Sequence, residues 1–172
     1  IIQAGIDIPI GFPEMISQGG READRAARNF IGRKGSSVFP APCRAALGAR
    51  TQAEAGDINA NHSIGAPIRI NAVTYAILAK MKQADDFMSP SIQEKLVEIH
   101  PEVSFAVMNG GSPVMSSKKT PVGQDERRNL LRREGFPVDA LGLPPDRRSR
   151  WSWDDLLDAC ACAWSAKRVR EG

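Results

Sequence analysis

The stretch Val97–Phe105, VEIHPEVSF, limits the fold more than any other part of the chain. Val97, Glu98, Ile99 and His100 alternate apolar and polar, the period of a half-buried strand. Pro101 has no N–H to continue strand pairing and presets φ for the first turn of a helix. Glu102 falls in that turn, where a carboxylate suits the positive end of the helix dipole. Val103, Phe105, Ala106 and Met108 then carry an apolar run up to Asn109, Gly110 and Gly111. In α/β folds ligand sites form where strands hand over to helices, so Glu98, His100 and Glu102 stand at a place suited to chemistry. An ordinary junction with solvated charges accounts for the same spacing.

The rest of the chain supplies partners for this unit. GIDIPIGFP alternates Ile6, Ile8 and Ile10 with Asp7 and Pro9 and reads as a strand turned away by Gly11 and Pro13. Asp7 is a poor strand residue, so it marks either a turn or a function. Residues 21–31 read as a helix with a basic stripe of Arg21, Arg25 and Arg28. A loop over 32–42 is expected to be anchored by Val38 and Phe39, and a short helix to span 42–50. Residues 51–67 have weak periodicity and read as mobile, with a helical turn near 52–55 and a solvated His62. The spacing of Ile70, Val73, Ile77, Leu78 and Met81 predicts one core-facing helix over 68–81, followed by solvated Asp85 and Asp86.

Past the central unit, a polar loop over 112–120 holds Lys118 and Lys119. Residues 121–134 read as a helix with Leu130 and Leu131 inward. Its Arg127, Arg128, Arg132 and Arg133 form a solvated face or a surface for phosphates. A Pro- and Gly-bearing connection then runs over 135–150. The helix over 151–168 opens with a capping box of Ser152 and Asp155. Trp153, Leu156, Leu157, Cys160, Ala161 and Trp164 share one face, with Asp154, Asp155 and Asp158 off it.

A length of 172 residues suits one domain over 1–172. The net charge of +3 does not by itself call for nucleic acid. No apolar run is long enough for a bilayer span and no signal peptide is visible. Cys43, Cys160 and Cys162 form no C-x-x-C pair, which fits a reduced, cytoplasmic setting. The chain opens at Ile1 almost inside a strand, so a truncated N-terminus is expected. Acids on three separate segments offer oxygen ligands, which suit Mg²⁺ or Mn²⁺. Two such ions can clamp the attacking and leaving oxygens of a phosphodiester. No P-loop, G-x-S-x-G or H-E-x-x-H competes with that reading.

GIDIPIGFP, READRAARNFIGRKGSSVFPAPCRAAL, VEIHPEVSF, SKKTPVG and DDLLDACACAW, in this order, resemble an uncharacterised bacterial and archaeal family. It is a domain of unknown function (number 429) described as predicted nucleases with an RNase H-like fold. The resemblance implies an α/β domain, a mixed sheet flanked by helices, with its N-terminal strands missing here. It places Asp7 and Glu98 on core strands, Glu102 just beyond, and Asp155 and Asp158 on the last helix as D-x-x-D-A. Asp7, Glu98, Glu102 and Asp158 would bind metal. Asp155 would be an outer ligand or base, and Lys118 and Lys119 would hold phosphate. The first-strand acid usual in this superfold has no counterpart in the chain. The expectation is a metal-dependent nuclease or phosphodiesterase. The alternative is a non-catalytic protein that binds nucleic acid through its arginines, or pairs its open sheet edge with another copy.

Overall fold

The computed structural model describes residues 3–140 and 151–172, so Arg147, Arg148 and Arg150 lie outside the described residues. Two short strands, β1 (Ala4–Ile6) and β2 (Leu96–Glu98), pair in parallel, Ala4 opposite Leu96 and Ile6 opposite Glu98. Bonds from Ala4 N to Lys95 O (2.7 Å) and from Ile99 N to Ile6 O (2.9 Å) extend the ladder. The strand read in GIDIPIGFP therefore stops at Ile6, and Asp7 begins a bend. Pro9, without an N–H, could not have continued the ladder.

Parallel strands need a long crossover. Here it contains α1 (Glu22–Ile31), α2 (Gln52–Asn61), α3 (Ala72–Ala76), α4 (Leu78–Phe87) and α5 (Pro90–Gln93). After β2 come α6 (Pro101–Met108), α7 (Pro121–Arg133) and α8 (Trp153–Glu171). Among the described residues the structure is thus helix-rich, 58% helical, around a two-stranded parallel sheet. An α/β domain was expected; the broad flanked sheet is represented among the described residues by these two strands alone.

Helix α8 packs on β1, α6 and α7. The contact with β1 depends on Gly5, where an added Cβ would lie 2.6 Å from the Cys162 carbonyl oxygen and 2.9 Å from Ile99 Cγ1. The apolar residues gather in separate clusters. Phe12, Ile16, Cys43, Leu47, Ile70, Leu78 and Met81 form one within the crossover. Phe105, Val114, Leu130, Leu131, Leu157 and Ala161 form another around α6, α7 and α8. Ile31, Val38 and Ala106 bridge α1 to α6.

Several expectations need correction. Residues 51–67 are not a mobile stretch with one turn, since α2 runs through Gln52–Asn61. Thr51 Oγ1 caps it by accepting from Glu54 N, and buried Asn59 ties it to Cys43 N and Ile68 O. The single helix over 68–81 is two, α3 and α4, broken at Ile77; the break leaves Val73 exposed while Ile70, Leu78 and Met81 stay buried. Val38 anchors its loop, but Phe39 is exposed. The loop over 32–42 begins with a 3-10 turn over Gly32–Ser37. The short helix expected over 42–50 is a 3-10 turn, Arg44–Gly48. Asp85 and Asp86 are paired with Arg44 and Lys82 rather than only solvated. The three cysteines are free and buried. No helix among the described residues is long and apolar enough to cross a membrane.

Candidate functional site

The C-terminal ends of β1 and β2, the first turn of α6, the loop before α7 and the first turns of α8 meet at one place. Asp7 follows β1, Glu98 ends β2, and His100 is the residue before α6. Pro101 at the helix start lets strand pass to helix without a connecting loop, so Glu98 and Glu102 are held close in space as well as in sequence.

Each acid has a distinct environment. Glu98 gives both oxygens to Arg21, at 2.6 and 2.7 Å, and Oε2 also accepts from Ile10 N. Arg21 is shared with buried Asp24, which forms the capping box of α1 and also accepts from Ala41 N. Burial alone would lower the guanidinium pKa; Glu98 and Asp24 together raise it instead. Glu102 gives both oxygens to Arg127 Nη2, at 2.7 and 2.9 Å. Arg127 is 0% exposed, its guanidinium 5.4 Å from the centre of the Phe105 ring, and it also donates to the Ser116 and Gly123 carbonyls. It is therefore a core residue and not part of a solvated basic face. Arg128 lies over the Trp153 ring at 4.7 Å, and Arg132 donates to Asn129 Oδ1. The helix expected to offer a stripe of arginines to phosphates has turned much of that charge to structural use.

On α8, Asp155 closes the expected capping box, accepting from Ser152 N and Oγ at 2.7 Å. Asp154 and Asp158 are not on an open face: both are buried, because α8 is covered from the sides of β1, α6 and α7. Asp154 accepts from Lys119 Nζ and from Ser152 Oγ. Burial would raise its pKa, but these donors hold it below the ordinary carboxylate value. Asp158, 7% exposed, accepts from Lys118 Nζ at 2.5 Å through Oδ2, while its buried Oδ1 has no hydrogen-bond partner. Burial pushes the Asp158 carboxyl up against the pull of Lys118, and the charges of Asp7 and Glu102 add to the rise.

Asp7 is exposed, and unlike the other acids it carries no hydrogen bond or ion pair among the described residues. The protein around it still withholds enough water to raise its carboxyl. His100 and Lys118 oppose that rise, and Glu98 and Glu102 add to it. The Cys162 thiol is pushed up to about 12 by burial, with the charges of Asp7 and Asp158 contributing.

Of the residues expected to act together, Lys118 bonds Asp158, and Asp7 feels the charges of Lys118, Glu98 and Glu102, while Asp155 is engaged in its cap and Lys119 in its pair with Asp154. No three His, Cys, Asp or Glu among the described residues form a group that could hold a metal ion. Glu98 and Glu102 do not fit as ligands because arginines occupy both of their oxygens. Asp7 and Asp158 do fit Mg²⁺, which characteristically binds through one or two carboxylates and completes its shell with water and substrate phosphate. The orphaned Asp158 oxygen is the observation on which that fit rests. Two concavities, with empty volumes of about 380 and 1020 Å³, lie along the Phe12–Met81 cluster and contain none of these groups. Sequence reasoning missed Arg21, Arg127 and Asp154. The two adjacent lysines facing acids four residues apart on α8 were the one available signal for Asp154.

The family model described as "Protein of unknown function (DUF429)" matches residues 2–172. The chain belongs to that family. Comparison with curated proteins and with solved structures finds no match.

Proposed function

We propose that this chain is a metal-dependent phosphodiesterase of nuclease type, with the RNase H-like organisation its motifs resemble and nucleic acid as substrate. The observation that carries the reading is the buried Asp158 oxygen without a hydrogen-bond partner, on the helix that packs against β1, which the solvent-facing Asp7 follows. Asp7 and Asp158 would hold Mg²⁺ or Mn²⁺. Such an ion, when bound, supplies a Lewis acid at phosphorus and activates water for attack. Glu98 and Glu102 act through their arginines: Arg21 fixes the end of β2 against α1, and Arg127 fixes the start of α6 against α7. Lys118 and Lys119 stand where their ammonium groups can take phosphate oxygens. His100 Nε2 donates to the Ser37 carbonyl at 3.2 Å, and its buried Nδ1 has no hydrogen-bond partner.

The competing non-catalytic reading rested on a free arginine face over 127–133 and 147–150 or on an open sheet edge, and it is the first of these, over 127–133, that the structure bears on. The burial of Arg127 and the stacking of Arg128 on Trp153 weaken it. The test is cleavage of single-stranded, duplex and hybrid nucleic acid with and without Mn²⁺. Metal-dependent cleavage that Asp158→Asn lowers about a hundredfold or more is expected, the scale on which electrostatic stabilisation acts. Salt-sensitive binding with no cleavage would support the binding protein instead.

A further inference from the structure

The charges at the site are almost all answered. Glu98 and Asp24 share Arg21, Glu102 has Arg127, and Asp154 has Lys119. What remains is Asp158, bonded to Lys118 through one oxygen while the other is unpartnered, and Asp7, which follows β1 without a partner among the described residues. The Lys118 ammonium is 2.5 Å from Asp158 Oδ2. Its side chain is 35% exposed and comes from the turn before α7, outside any helix or strand. Its head group has one bond, to Asp158, at the end of a flexible four-carbon stem. Such a group can leave without unfolding anything.

Two carboxylates can neutralise one divalent ion. They cannot also retain an ammonium in the same space, because the two cations would repel at short range in a partly desolvated site. We propose that Lys118 is a built-in counter-ion of the Asp7–Asp158 pair, which a divalent cation displaces. The inference rests on the functional reading above and adds to it a competition between ion and lysine. Displacement frees Asp158 Oδ2 beside the already unpartnered Oδ1, so the incoming ion gains an oxygen as the ammonium leaves. The released ammonium would then be free to pair with a phosphate oxygen. The resting site is stable without metal, and its affinity for metal is held down by its own lysine.

The measurement is calorimetric titration of the full chain with Mn²⁺ at neutral pH, for the unaltered protein and for Lys118→Met, Lys118→Gln and Lys118→Arg. Removing the charge should tighten binding about tenfold, the scale on which neighbours of a metal site act. Lys118→Arg keeps the charge and should bind no more tightly than the unaltered protein. Lys82→Met, which breaks the exposed pair with Asp86, is the control for net charge and should not change affinity. Lys118→Met could fold poorly with Asp158 left unpaired, so amine labelling of Lys118 in the unaltered protein, read by mass spectrometry, gives a second test. Labelling should rise when Mn²⁺ is present. If the unaltered protein binds Mn²⁺ and Asp158→Asn does not, but the neutral variants bind no more tightly and labelling stays constant, the counter-ion role is wrong and the metal reading stands. If no form binds Mn²⁺, both fail.

Discussion

Among the individual residues, Asp7 is distinguished by having no partner among the described residues, and Asp158 by a buried oxygen that has none. Glu98 and Glu102 show the contrast, because the same element ends produced them but a guanidinium took each. The cost of leaving Asp7 without a partner can be measured. Its folded carboxyl is raised above the ordinary value of 3.8, chiefly by partial desolvation. An acid with a raised folded pKa binds more protons folded than unfolded between the two values, so its charge opposes folding at pH above that window and ceases to do so below it. Asp7→Asn should therefore melt higher than the metal-free parent at neutral pH. That advantage should shrink as pH falls through the folded pKa and vanish below the ordinary one. Melting curves across pH check this, and a lower melting temperature at neutral pH would contradict it. Asp154 has the opposite sign: its lowered carboxyl contributes stability above the ordinary pKa that is lost as pH falls through the folded value.

At the level of elements, α8 and the β2–α6 junction set the geometry, and both were legible in the sequence. Pro101 punctuates the junction, and Ser152 with Asp155 marks the start of α8, since each is a local signal with a local cause. What was not legible depends on distant partners. Arg127 lies in a run of arginines that reads as solvated surface, and nothing nearby in sequence announces that Glu102, 25 residues earlier, will draw it into the core. Helix α2 was missed because its buried face consists of Ala55, Gly56 and Asn59, which give almost no hydrophobic period. The break at Ile77 has no Pro or Gly to mark it. Gly5 is a similar case: its need for hydrogen in place of a side chain comes from the α8 backbone more than 150 residues away. Gly5→Ala should destabilise the protein by about 1–3 kcal/mol, the usual cost of overpacking, and should do so by separating α8 from β1. Denaturant titration gives the size. A neutral substitution would mean that the contact yields easily.

Over the whole molecule, segments far apart in the chain bring Lys118 onto Asp158 of α8, which packs against the short strand that Asp7 follows, and arginine clamps immobilise Glu98 and Glu102. The family model spans residues 2–172, so this arrangement lies within a family whose function has not been defined. The central claim is that Asp7 and Asp158 form a cation position occupied at rest by Lys118. A crystal of the full chain soaked in Mn²⁺ and measured at a wavelength where manganese scatters anomalously tests it most directly. The expected result is an anomalous peak between the Asp7 and Asp158 carboxylates, with the Lys118 ammonium withdrawn from Asp158 Oδ2. Lys118 still bonded to Asp158, with no peak at either carboxylate, would contradict the account.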